Sequence, residues 1–181
     1  MLKERYTVFE GKNGKYYFNL KAANHKIILR SSDSYSSKKD ATKAILWIQS
    51  NCTNPQFFER RVAKNGEPYF VFKDDTGDIL GVSETYSSKY AMENGIKSVQ
   101  KNGITKTILG IDDVFFEVII NKRQFDLQKG RYGRSHFLEL GGYVGPRFCL
   151  FQLNGFGRRE ILPNQQVDVV GCLEFEVVRN D

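Results

Sequence analysis

A chain of 181 residues has room for one or two compact domains. With 40% apolar residues and only four Pro, the composition is that of an ordinary soluble protein without a Pro-rich linker. The net charge of +6 is local: residues 1–54 carry 10 Lys/Arg against 4 Asp/Glu, while residues 55–104 and 105–181 are balanced. A surplus of that size excludes a nucleic-acid-binding tail and reads as solubilising.

In chain order, residues 5–10 are rich in Tyr, Val and Phe and predict a first strand. Asn13-Gly14 is a hairpin signal, because both residue types tolerate positive φ. Residues 16–21 predict a second strand, Asn24-His25 a turn, and residues 26–31 a third strand. His25 then occupies a turn position that asks for a left-handed backbone. Ser37 followed by Asp40 is a capping-box pattern. Ala41, Ala44, Ile45 and Ile48 recur at i, i+3, i+4 and i+7, which predicts a helix over residues 37–51 with one apolar face.

The same series then runs again. Asn13-Gly14-Lys15-Tyr16-Tyr17-Phe18-Asn19-Leu20-Lys21 lies over Asn65-Gly66-Glu67-Pro68-Tyr69-Phe70-Val71-Phe72-Lys73 at an offset of 52. Tyr35-Ser36-Ser37-Lys38 lies over Tyr86-Ser87-Ser88-Lys89 at an offset of 51, one residue near Asp33 being extra. Strands are therefore predicted at residues 57–63, 69–73 and 78–83, and a helix at 88–102 with Ser88 as its N-cap. Ala44 and Gly95 fall at equivalent places, where a small residue lets each helix lie close on a sheet.

These motifs, the Asn-Gly-Lys-Tyr-Tyr-Phe-Asn-Leu-Lys run, the Tyr-Ser-Ser-Lys turns and the helices after them, resemble the YegP-like family of small bacterial proteins over about 105 residues. The resemblance implies an α+β fold. Two tandem βββα(β) repeats, residues about 5–54 and 55–109, share one antiparallel sheet with one helix each. It also implies that strands after the helices are exchanged. Residues 57–62 would close the first repeat and open the second, and 105–109 would close the second. It supplies no catalytic residues.

Residues 110–181 break the pattern and form a separate β-rich segment, with strands predicted at 114–121, 136–140, 147–154, 158–162 and 166–178 and no helix. A segment of this length buries about 60% of its unfolded surface, which is marginal. A small barrel or sandwich, or a segment leaning on the front domain, would answer that.

Enzyme chemistry finds no foothold. The two histidines, His25 and His136, have no Cys or second His nearby, and no nucleophile-elbow, P-loop or zinc-protease motif occurs. Asp74-Asp75-Thr76-Gly77-Asp78 lacks the spacing of a calcium loop and reads as a β-turn. Cys52, Cys149 and Cys172 are odd in number and far apart, and read as small buried residues. The start, Met1-Leu2-Lys3-Glu4-Arg5-Tyr6, has no apolar signal core, and no apolar run approaches the ~20 residues a membrane span needs. The expectation is a cytoplasmic, non-enzymatic protein without cofactor, metal or membrane, acting through a protein partner or as a homo-oligomer.

The alternative is nucleic acid. Lys122, Arg123, Phe125, Lys129, Arg131, Tyr132 and Arg134 interleave five cations with two aromatics around one acid, Asp126. Cations neutralise phosphates and aromatic rings stack bases. On this reading residues 122–134 form a binding loop that acts together with the basic first repeat, unless the acidic stretch 160–181 folds back on it.

Overall fold

The computed structural model describes residues 3–180 and divides into two compact units, Met1–Ile111 and Asp112–Asp181. In the first unit, β1 (Arg5–Glu10), β2 (Tyr16–Lys21) and β3 (Ile27–Ser31) form an antiparallel meander followed by α1 (Lys38–Asn51). A 3-10 turn (Pro55–Phe57) leads into the second meander, β4 (Phe58–Val62), β5 (Pro68–Lys73) and β6 (Ile79–Val82), followed by α2 (Lys89–Asn102) and the two-residue β7 (Ile108–Leu109). All seven strands form one sheet, ordered β4-β5-β6-β3-β2-β1-β7. At its centre Arg30 of β3 lies opposite Val82 of β6. These two positions are equivalent in the repeats, so an internal pseudo-twofold axis passes beside them.

Local chemistry accounts for the duplication. Gly14 and Gly66 close the first turn of each repeat at φ +71° and +84°, and His25 and Gly77 close the second at +66° and +93°. In the Asn-Gly turns only the glycine is left-handed. Asn13 and Asn65 act through side chains that accept from the backbone N–H of Lys15 and Glu67. Ser37 and Ser88 cap the helices, their Oγ atoms accepting from the N–H of Asp40 and Ala91 at 3.1 Å each. Both helices lie on one face of the sheet. Ala41, Ala44, Ile45 and Ile48 of α1 and Met92, Gly95, Ile96 and Val99 of α2 are buried against Tyr6, Phe18, Leu20, Leu29, Phe70 and Phe72. Each large apolar side chain so buried contributes about 1.5–3 kcal/mol.

Strand exchange takes a definite form. β7, at the end of the second repeat, pairs in parallel with β1 of the first, Tyr6 opposite Ile108 and Thr7 opposite Leu109. β4, which follows α1, pairs with β5 and forms the opposite edge of the sheet, so it opens the second meander but, against the expectation for residues 57–62, does not close the first repeat.

The second unit differs from its sequence expectation at three places. A helix is present: α3 (Arg134–Gly141) occupies the stretch expected as a strand at 136–140, burying Phe137 and Leu138 and stacking Phe137 against Phe175 at 4.6 Å. The stretch 166–178 is two strands, β13 (Gln166–Val169) and β14 (Leu173–Arg179), which join different sheets. Residues 122–134 are not a loop but β9 (Arg123–Gln128) and β10 (Gly130–Gly133). With β8 (Phe115–Ile120), β11 (Phe148–Asn154) and β12 (Gly157–Ile161), they complete a five-stranded sheet, β12-β11-β14-β8-β9, and a two-stranded ribbon, β10-β13. Asn121, at φ +46°, continues the β8–β14 pairing with its side-chain amide, which exchanges hydrogen bonds with the Val177 backbone at 2.8 and 3.1 Å.

Candidate functional site

Four of the five cations expected to contact nucleic acid are engaged within the second unit. Lys122 is exposed in the β8–β9 turn at φ +66°. Arg123 donates to the Gly141 carbonyl at 3.1 Å and lies over the Phe125 ring. Lys129 pairs with Asp112 at 2.8 Å, and Arg131 with Asp168, directly opposite it on β13, at 2.9 Å. Arg134 donates to the Phe148 carbonyl. Tyr132 stacks on His136 at 4.6 Å and donates to the Gln128 carbonyl. The acidic stretch thus meets the basic one along the β10–β13 ribbon, where among the described residues one of its acids, Asp168, pairs with a cation. Phe125 faces the sheet side on which Leu127 is buried.

Other polar groups are also occupied structurally. The Asp74 carboxylate accepts from Thr76 and from the N–H of Asp78, which makes the turn. His25 Nδ1 lies 3.1 Å from Arg5 Nη2. Cys52 is buried, as read from the sequence, but Cys149 is half-buried and Cys172 is exposed, against the expectation of three buried thiols. Burial pushes the Cys52 thiol pKa up, leaving it a neutral packing group.

Two surfaces of the first unit remain. One is the outer edge of β4. Within the β4–β5 hairpin the Ala63 N–H bonds inward to the Glu67 carbonyl, so alternation turns the N–H groups of Phe58, Arg60 and Val62 outward. The Phe58 N–H is taken by the Pro55 carbonyl, which leaves those of Arg60 and Val62 along the edge. Val62 is 64% exposed.

The other surface is the sheet face away from the helices. Here Thr7, Asn19, Arg30, Val82, Val71 and Glu59 run in register across six strands. In the second repeat the charges close on one another: Glu59 accepts from Arg61 at 2.6 Å and from Lys73 at 2.8 Å, which holds its carboxyl down at about 2. In the first repeat a depression of about 300 Å³ is lined by Phe9, Tyr17, Asn19, Ile27 and Arg30, among others. The sequence reading missed this face. Its available signal was the odd-numbered set Phe9, Tyr17, Asn19 and Lys21, which alternates with the buried Val8, Phe18 and Leu20.

Two βββα units, each with a capped helix on a shared seven-stranded sheet, define a tandem-repeat α+β protein. The family model for a domain of unknown function, DUF1508, matches residues 12–59 and 63–109, and the chain belongs to that family. The YegP protein of Yersinia pestis, of the group UPF0339, is 47% identical over 103 residues, which span 57% of this chain and 91% of that protein. A UPF0339 protein of Mannheimia succiniciproducens is 45% identical over 100 residues, 55% of this chain and 88% of its own. The solution structures of a UPF0339 protein from Shewanella oneidensis (39% identity, TM-score 0.56) and of YegP from E. coli (32%, 0.57) each cover 60% of this chain and over nine-tenths of their own. The family is one of unknown function. Among the described residues, no helix is long and apolar enough to cross a membrane.

Proposed function

We propose that this protein is a non-catalytic binding module that works by strand addition at the outer edge of β4, and that the occupant is a second copy of itself. The observation that carries this is the asymmetry between the sheet's two ends. The outer edge of β1 receives β7 through the Tyr6 N–H and the Thr107 carbonyl at 2.9 Å, whereas the edge of β4 keeps the outward donors of Arg60 and Val62. An edge strand with open backbone groups is a template for another strand.

Self-complementarity favours a second copy. Antiparallel pairing centred on Arg60 sets Glu59 opposite the partner's Arg61 and the exposed Val62 opposite the partner's Phe58. Each Arg60 brings its own counter-charge, since it is paired with Glu93 at 2.8 Å. Opposite charges directly across a strand pair are favourable. Sedimentation equilibrium of the full chain is expected to show a dimer. Val62→Pro removes an outward N–H and leaves the inward ladder intact, so it is expected to give a folded monomer. A wild-type monomer at the highest soluble concentration, or an unchanged Val62→Pro dimer, overturns the proposal.

A further inference from the structure

The charge excess of the chain has a structural address. It lies in the first repeat, and on that repeat's helix-free face it is not neutralised. Tyr6, Val8 and Glu10 of β1 point to the helix side, so β1 contributes Arg5, Thr7 and Phe9 to the opposite face; β2 contributes Tyr17, Asn19 and Lys21, and β3 contributes Arg30. No carboxylate stands among these seven side chains. Among the described residues neither Lys21 nor Arg30 forms an ion pair, and Arg30 is exposed. Arg5 is held back, donating to the Lys3 carbonyl and lying against His25.

Beside these cations sits a fixed aromatic pair. Phe9 and Tyr17 stack with ring centres 5.9 Å apart and planes 23° apart, and Phe9 is 40% exposed. Two neighbours set the Tyr17 ring. A Cβ on Gly11 would stand 2.6 Å from Tyr17 Cε2, so the ring lies where only glycine leaves room. The Asn13 amide donates to the Tyr17 hydroxyl at 2.9 Å. The second repeat keeps Asn65, Tyr69 and Lys73 at the places of Asn13, Tyr17 and Lys21. It has Ala63 for Gly11, Arg61 for Phe9, Val71 for Asn19 and Val82 for Arg30, so the stacked ring pair and the Arg30 cation belong to the first repeat alone.

We infer that the helix-free face of the first repeat binds single-stranded nucleic acid. A base stacks on the Phe9–Tyr17 pair and enters the depression. There the Asn19 amide, which can donate and accept, meets the base edge. Arg30 and Lys21 neutralise the flanking phosphates. An aromatic platform bordered by unpaired cations is the arrangement that suits an unstacked base with its backbone. An acidic peptide would use the cations alone and leave the ring pair and the depression without a role.

The test is fluorescence anisotropy of the full chain with labelled single-stranded DNA and RNA of about 12 nucleotides, in salt raised from about 50 to 200 mM. Affinity is expected to fall with salt. Arg30→Ala and Lys21→Ala are each expected to flatten the log–log salt slope by about 0.7, and Arg30→Lys to keep it. Tyr17→Ala is expected to weaken binding by about fivefold or more with the slope unchanged. Tyr17→Leu retains apolar cover without the ring, and serves if the alanine variant melts early. Arg61→Ala, at the position matching Phe9, is expected to bind as wild type. The proposal is overturned by absence of binding at low salt, or by losses that are equal for Arg61→Ala and Arg30→Ala. Binding abolished by Arg123→Ala with Arg131→Ala but not by the face variants also overturns it. So does equal binding of poly-glutamate or phosphatidylglycerol vesicles with the same residue dependence. Val62→Pro is expected to leave the per-chain affinity unchanged, which separates this site from the β4 edge.

Discussion

The two repeats of the first unit share a set of contacts on the side that faces the helices, although Val8 and Leu29 answer to Arg60 and Gly81 there, and on the other side they keep Tyr17/Tyr69 and Lys21/Lys73 but arrange their charges differently. On the helix side the correspondences extend to single bonds. Ser31 Oγ accepts from the Phe18 N–H, and Ser83 Oγ from the Phe70 N–H. Tyr35 stacks on Phe18 at 6.1 Å and Tyr86 on Phe70 at 6.2 Å, each tyrosine donating its N–H to the strand below at 2.8 Å. On the other face a cationic, aromatic depression in one repeat answers to a closed Arg61–Glu59–Lys73 cluster beside Val71 and Val82 in the other. Packing against a helix restricts volume, shape and hydrogen bonding together, so substitutions there are costly. A face with no helix on it meets few such demands and is free to acquire a binding role in one copy only.

The largest effects test the matched side. Phe18→Ala and Phe70→Ala, both at fully buried rings, are each expected to cost about 3–5 kcal/mol in denaturant unfolding. Because they share a sheet, spectroscopic signals from both repeats should be lost together. Separate transitions for the two repeats would break the equivalence.

A smaller effect distinguishes the helices. A Cβ on Gly95 would lie 2.2 Å from the Tyr86 hydroxyl oxygen, whereas Ala44 already carries one at the equivalent place. Gly95→Ala is expected to lower stability by about 1–3 kcal/mol through overpacking, despite the better helix propensity of alanine. A raised melting temperature would show that Tyr86 moves aside freely.

The smallest effect sharpens the comparison through pH. Ser37→Ala and Ser88→Ala should each cost about 1 kcal/mol at neutral pH. Only Ser37 also donates to a carboxylate, Asp40, at 2.7 Å. The hydroxyls of Ser37 and Ser36, with Lys43, hold the Asp40 carboxyl below its usual range. A depressed folded pKa contributes stability above the unfolded pKa, and that contribution is lost as pH falls through the folded value. The Ser37→Ala penalty should therefore shrink on acidification while that of Ser88→Ala stays flat, as read from melting curves across the acid range.

The first unit was legible because its signals are local and occur twice. Both helices begin one residue after the serine caps and end at Asn51 and Asn102, as the predicted spans 37–51 and 88–102 have it, and His25 adopts the left-handed turn its glycine counterpart suggests. The second unit has weaker signals. α3 is eight residues long, and its N-cap, Gly133, makes no side-chain capping bond. In β9 the core-side residues Phe125 and Leu127 are diluted by Arg123, Gln124, Asp126 and Gln128, so charge hides the alternation. The useful sign was Asn121-Lys122, a two-residue turn in which both residues take positive φ. Composition could flag a basic segment around residue 130, but not that Asp112, Asp168 and two carbonyls engage its cations. Those contacts depend on pairing distant in sequence.

The parallel seam between β1 and β7 has a consequence for biosynthesis. The Tyr6 N–H reaches Thr107, the Tyr6 hydroxyl reaches the Gly103 carbonyl, and Thr105 reaches back to Glu4, each across about a hundred residues of chain. On the ribosome the amino-terminal meander must wait, its rim unsealed, until the last turn of α2 and the strand beyond it have emerged. Nascent chains of this protein therefore pass through a window in which β1 is already made and open to mispairing while its partner β7 is not.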